Sequence, residues 1–342
     1  MMMAPRPARA TTVVHGGRVE ERLASLEGAE SALVLGTGMA AVACTMLSLL
    51  RSGDHLVASS WLNGAVRRFF ETELPNLGID VTFVDPTATR GWRRMIRTNT
   101  RLFFLDTPVD PTTRVADLNP ARLLAQELGL ALVVDSTHAS PINFRPIEHG
   151  ADVVIHAGEA YLHSEDGLQA GVVCGAEALI DEVREKMLLW GQSPDAAMVE
   201  NLERGLRTLD IRVARQNANA EQVARWAASH ESIRQCFYPG LSSHIDYDVA
   251  VATLDGFGST VILDLGDDVA KATRVISRLT VFRSRVSIGG GASSARALGI
   301  AVGGRAVPPS QQPLLISEGA IRLGIGLEDA SDLIADLAQA LE

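Results

Sequence analysis

The sequence predicts an α/β protein: a mostly parallel seven-stranded sheet flanked by helices, with a smaller α+β unit towards the C-terminus. Three observations lead there. Short apolar runs recur along the first half of the chain, several of them nearly continuous, as in strands covered on both faces. Amphipathic segments such as 38–50 and 120–128 lie between them, which is the rhythm of βαβ units. After Arg204 the rhythm gives way to one long polar helix followed by a few more elements.

In chain order, the strands are predicted at 32–35, 56–59, 81–84, 101–105, 131–134, 153–155 and 171–174. In such sheets ligands sit beyond the carboxyl ends of the strands. Those ends carry Gly36-Thr37-Gly38, the segment from Trp61 to Gly64, Asp106, Asp135 and His156. A long helix, rich in Ala, Arg, Gln and Asn, is predicted at about 210–230. Strands follow near 259–265 and 320–323, then a final helix over 328–341. The stretch 288–313 is rich in Gly, Ser, Ala and Pro and reads as a long loop. The expected division is a short N-terminal arm (1–18), a large domain (19–205) and a small C-terminal domain (206–342), with no internal repeat.

Composition narrows the function classes. With 342 residues, 46% of them hydrophobic and 21% charged, the chain can bury a full core. A net charge of −10 argues against nucleic acid or an anionic membrane as partner. No apolar run approaches the roughly 20 residues that span a bilayer, and the start lacks the apolar stretch of a secretory signal. Cys44, Cys174 and Cys236 are odd in number and scattered. They read as buried apolar residues of a cytoplasmic protein, with no disulfide framework or zinc spacing.

Several motifs then fall in one order over nearly the whole chain. They are Leu26-Glu27-Gly28-Ala29-Glu30, Gly38-Met39-Ala40-Ala41, Gly53-Asp54-His55, Asp106-Thr107-Pro108-Val109-Asp110-Pro111 and Val134-Asp135-Ser136-Thr137. Gly150-Ala151-Asp152, Arg204-Gly205-Leu206-Arg207-Thr208-Leu209, Tyr238-Pro239-Gly240-Leu241 and the run from Arg322 to Asp329 continue the series. Together they resemble the cystathionine γ-synthase and γ-lyase family, pyridoxal-phosphate (PLP) enzymes of cysteine and methionine metabolism. The resemblance implies the aspartate aminotransferase-like fold (PLP fold type I) and a homo-oligomer, dimer or tetramer, with sites at subunit interfaces.

PLP chemistry asks a protein for a Schiff-base lysine, an acid on the pyridine nitrogen, a phosphate cradle and a flat partner for the ring. The resemblance places Ala160 at the lysine position, within His156-Ala157-Gly158-Glu159-Ala160-Tyr161-Leu162. The chain has only two lysines, Lys186 and Lys271, and neither ends a predicted strand. A methyl group forms no imine and carries no proton. Ala157 and Glu159 stand where the family has the Ser and Thr that hydrogen-bond the phosphate, and an ionised Glu159 repels a dianion. Gly38 and Met39 retain the backbone part of the cradle at a helix start. The cross-subunit Tyr and Arg of the family fall on Ala8 and Ala10. Asn63 replaces the aromatic residue that stacks on the ring. Asp135 matches the pyridine acid, and Asp110 replaces an Asn near the cofactor's phenolic oxygen. Arg322, with Ser287, matches the substrate carboxylate site.

Each position also has a plainer role. Gly36-Thr37-Gly38 suits an ordinary strand-to-helix turn, Asp135 a helix cap or turn, and Arg322 a surface or interdomain ion pair. His138, His156 and Asp135 are candidates for an acid–base group at the strand ends, while local packing also accounts for His156. His156, Glu159 and His163 fit no standard zinc spacing, and no metal is expected. The first functional reading is a divergent or inactive relative that binds a small amino-acid-like ligand, with covalent PLP not expected and PLP binding weak or absent. The second is a repurposed, lysine-independent enzyme of a biosynthetic side pathway using Asp135, Glu159 or a histidine. A carbon–sulfur lyase or synthase with its lysine replaced by Ala160, and a purely structural subunit, complete the set.

Overall fold

The computed structural model describes residues 17–62, 64–163, 169–284, 289–299 and 316–342. Asn63 and Ser287, and with them Ala8 and Ala10, lie outside the described residues. All seven strands expected in the first half are present. They are β1 (Ser31–Leu35), β2 (His55–Ser59), β3 (Asp80–Val84), β4 (Thr100–Asp106), β5 (Ala131–Asp135), β6 (Val153–Ala157) and β7 (Gly171–Gly175). They form one sheet in the order β1-β7-β6-β5-β4-β2-β3, parallel except that β7 runs antiparallel to both its neighbours.

Both faces of this sheet are buried, which is why its strands read as continuous apolar runs. Leu33, Leu56, Phe104, Val133, Ile155 and Val173 pack on one face with the helices Gly38–Leu49 and Glu177–Leu189. Val34, Phe103, Leu132, Val134 and Val154 pack on the other with the helices Gly17–Glu27 and Asn119–Leu128. Among the described residues no helix is long and apolar enough to cross a membrane.

A smaller antiparallel sheet follows, in the order β10-β11-β9-β8. Its strands are β8 (Gln235–Phe237), β9 (Thr260–Asp264), β10 (Ser294–Ala297) and β11 (Ala320–Gly324). The strand β10 corrects the expectation of an unbroken loop over 288–313; residues 288 and 300–313 lie outside the described residues. Its composition, Ser-Ala-Arg-Ala, lacks the β-branched and aromatic residues that mark a strand. Tertiary burial decides instead, with Ala295 and Ala297 in the small core beside Ile321 and Leu323.

The helix Leu209–Ala228 serves both cores. Leu209 and Val213 sit in the large one, and Ala220, Val223, Ala224 and Ala227 in the small one. Between these groups Arg212, 5% exposed, donates to the carbonyl oxygens of Gly205, Tyr161 and Gly289 at 2.9–3.0 Å. Three buried acceptors thus depend on one guanidinium, and an unsatisfied buried acceptor costs about 1–3 kcal/mol. Arg212→Met should therefore lower unfolding free energy by roughly 2–4 kcal/mol, read from the midpoint of a urea titration. An unchanged midpoint would show that those carbonyls find other donors.

Candidate active site

The site is built where the carboxyl ends of β4, β5 and β6 meet the start of the Gly38 helix. Asp106 and Asp135 end their strands side by side in register. The turn after Asp135 is closed by its own carboxylate, whose Oδ1 accepts from the Thr137 N–H at 3.0 Å and the Thr137 hydroxyl at 2.5 Å. Thr137 Oγ1 in turn accepts from the Ala157 N–H at 2.9 Å. A short chain of hydrogen bonds therefore ties the end of β5 to the end of β6. It also engages one Asp135 oxygen in the turn role that strand-end aspartates commonly play.

The Gly38 helix presses directly onto these strand ends. Thr37 caps it by accepting the Ala40 N–H at 3.0 Å. A Cβ on Gly38 would lie 2.6 Å from the Ala157 Cβ, and a Cβ on Gly171 2.1 Å from the Thr37 carbonyl oxygen. Neither glycine can carry a side chain without moving backbone, so close approach is what both are for. The first-turn amides of Gly38 and Met39 have no acceptor within their own helix, which gives this end of the cleft an anion preference.

Glu159 and Ala160 follow β6. Glu159 is exposed, yet partial burial pushes its carboxyl above the usual range, and the charge of Asp135 acts in the same direction against backbone hydrogen bonds at Glu159 and Ala170. Ala160 is buried, at 4% exposure, and its N–H donates to the Ala157 carbonyl. Next to it the Tyr161 hydroxyl pairs with the Ser259 hydroxyl and backbone N–H, both at 3.0 Å. The two lysines lie elsewhere. Lys186 is on the helix Glu177–Leu189, close to Cys44, and Lys271 is on the helix Val269–Arg278, donating to the Ser232 carbonyl at 3.1 Å.

The facing wall comes from the small sheet. Arg322, in β11, is 2% exposed, and its Nε donates to Asp110 Oδ1. Among the described residues its Nη2 has no partner, nor does Nδ1 of His138. Burial alone would raise the Asp110 carboxyl, but Arg322, by charge and hydrogen bond, and Arg296 by charge hold it below its usual value. Burial keeps His138 below its usual value and so neutral, although Asp110 opposes this. Arg296 sits opposite Arg322 across the β10–β11 pair. A small, partly open pocket lies beside this group, lined by Asp110, His138 and Thr113 and by the apolar Val109, Pro239 and Phe257.

His156 is not part of the assembly, which corrects its grouping with Asp135 and His138. Successive strand residues face opposite ways. Ala157 meets the Gly38 helix, so His156 points to the other face, where its Nε2 lies 3.1 Å from Glu27 Oε2 with both side chains buried. Trp61 is engaged by the Arg114 guanidinium, 4.1 Å above its ring. Among the described residues no three His, Cys, Asp or Glu side chains group as metal ligands. One residue and one contact escaped the sequence reading. Arg296 was hidden in a segment read as loop, and the Asp110–Arg322 pair joins residues 212 positions apart.

A mostly parallel seven-stranded sheet, an antiparallel four-stranded sheet beside it and a cleft at the strand ends define the fold type I class. The chain belongs to the Cys/Met metabolism PLP-dependent enzyme family, whose sequence pattern matches residues 9–342. It is 33% identical to the L-methionine gamma-lyase of Pseudomonas putida, over 95% of this chain and 82% of that protein. It is 35% identical to the canavanine gamma-lyase of Rhizobium leguminosarum bv. trifolii, over 95% of this chain and 81% of that one. Against cystathionine gamma-synthase 1 of Arabidopsis thaliana the identity is 31%, over 97% of this chain and 58% of the relative.

The raised carboxyl of Glu159 has a sign that can be tested. A carboxyl raised in the folded chain contributes stability below its unfolded pKa, roughly 4.3, and loses it as pH rises through the folded value. Glu159→Gln should therefore be more stable than the parent at pH 7, by less than about 1 kcal/mol because the residue is exposed. The difference should vanish near pH 4 in thermal melts across that range. A variant less stable at neutral pH would mean that the ionised carboxylate is held, not crowded.

Proposed function

We propose that this chain is a divergent member of its family that works without a Schiff-base lysine, and that its cleft binds a small amino-acid-like molecule. The observation that carries this reading is chemical. Ala160 stands at the position the resemblance assigns to the lysine, while Lys186 and Lys271 are committed to other parts of the fold.

The residues present fit a bound PLP group in two places only. Asp135 at the end of β5 would face a pyridine nitrogen, and the start of the Gly38 helix would face a phosphate. They do not fit it elsewhere. The resemblance puts Glu159, a carboxyl, and Ala157, a methyl group, where the phosphate wants hydroxyls, and Asp110 already holds Arg322. Among the described residues no amine lies at the cleft for covalent attachment. We therefore derive no step through PLP.

A second reading has its own support. Asp135 and Glu159 are two carboxyls within electrostatic reach, and Glu159 is pushed towards its protonated form. Paired carboxyls in unlike environments are what acid–base chemistry uses, so a lysine-independent enzyme of a biosynthetic side pathway is the alternative. Both readings place the protein in the cytoplasm as a homo-oligomer.

Incubating the purified protein with PLP and then borohydride separates these readings from an ordinary lyase or synthase. The intact mass should be unchanged, and no imine absorption band should develop. A reduced pyridoxyl adduct on Lys186 or Lys271, or on the N-terminus at the cleft, would overturn the proposal.

A further inference from the structure

Arg322 is a buried cation behind Asp110, which lines a pocket, and in this chain its anion is supplied from within. Asp110 reaches it from the turn after β4, and the guanidinium Nε donates to it. With Arg322 at 2% exposure, water does not compete for that contact. We infer that Asp110 is the specificity-determining residue of the cleft: as a built-in carboxylate on Arg322, it excludes ligands bearing a free carboxylate and selects their amide, ester or amine counterparts. This rests on the reading that the cleft binds a small amino-acid-like molecule, and it narrows the class of that molecule.

The argument is electrostatic. The Arg322 guanidinium, with Arg296 beyond it, holds Asp110 ionised, so a carboxylate entering the pocket meets a like charge on its wall. In a buried site such repulsion is only weakly screened. Arg296, half-buried beside Arg322, does not line the pocket, and neither does Arg322, so the charge that a ligand there meets first is that of Asp110. A neutral amide finds the opposite situation. Asp110 accepts its N–H. His138, neutral and with Nδ1 unpartnered among the described residues, is free to donate or accept. The apolar remainder, Pro108, Val109, Pro239 and Phe257, suits a short hydrocarbon side chain. An asparagine at 110 would keep an acceptor for Nε and remove the charge.

The test uses two probes that differ only at the carboxyl group, L-norleucine and L-norleucinamide, titrated by calorimetry into the full-length chain. The parent protein should bind the amide at least about tenfold more tightly than the acid, a ratio set by one repelled charge. Asp110→Asn should bind L-norleucine at least about tenfold more tightly than the parent does. That gain should disappear in the double variant Asp110→Asn with Arg322→Gln, with circular dichroism confirming each fold. Equal binding of acid and amide by the parent overturns the inference. So does a folded Asp110→Asn protein with no gain for L-norleucine, including one that binds neither probe. A pyridoxyl adduct in the borohydride experiment would sink the preceding proposal and yet leave this acid-to-amide ratio to be measured, so the two fail separately.

Discussion

The ion pair between Arg322 and Asp110 is the constraint on which the cleft depends. A guanidinium in the middle of an antiparallel strand, with its neighbours Ile321 and Leu323 in the small core, has to leave the sheet on the opposite face. That face looks towards the carboxyl ends of the large sheet. A buried guanidinium without an anion is several kcal/mol out of place. Asp110, in the turn that follows β4, brings the anion from the other half of the molecule. One contact therefore neutralises the buried cation and links the small sheet to the turn after β4.

At the other end of the cleft, the determinant is closeness of backbone. Gly38 and Gly171 let the helix start settle on Ala157 and Thr37 with no room for a side chain. The helix amides are then aimed at the strand ends, while Thr137 ties Asp135 to the Ala157 N–H. Arg212 acts similarly from the far side, holding the backbone at Tyr161 and at Gly289. The segment that carries Glu159 and Ala160 is thus gripped on both sides by backbone contacts.

Much of this was legible in the sequence, and the boundary of legibility is physical. Strands buried on both faces announce themselves as apolar runs, so β1 to β7 were each found to within two residues at either end. The helix Leu209–Ala228 stood out by length and composition. β10 did not, because Ser-Ala-Arg-Ala gains its strand character from neighbours rather than from propensity. Three-residue β8 was too short to show a period. The strand-end rule pointed to Asp135 and to the glycine turn. It says nothing of which way a side chain faces, and a single step along β6 separates Ala157, on the helix side, from His156, on the Glu27 side. The pairing of Asp110 with Arg322 has no local signature, since only the assembled fold brings those residues together.

Family membership alone does not decide the chemistry, because a scaffold outlasts the site grafted on it. The contacts that hold this cleft together divide into two groups. The glycine-backbone approaches, the Arg212 staple and the Tyr161–Ser259 pair serve the polypeptide itself, and they are intact. Ala157, Glu159 and Ala160 lie on the same gripped segment, yet their side chains carry little of the packing that holds it: Glu159 is exposed, and the two alanines end at a methyl group. A change at such positions alters what the cleft recognises while leaving the fold in place. Asp110 belongs to both groups, because it satisfies a buried cation and also faces the cavity. For that reason it is the position where the demands of folding and of recognition meet, and a change there acts on both.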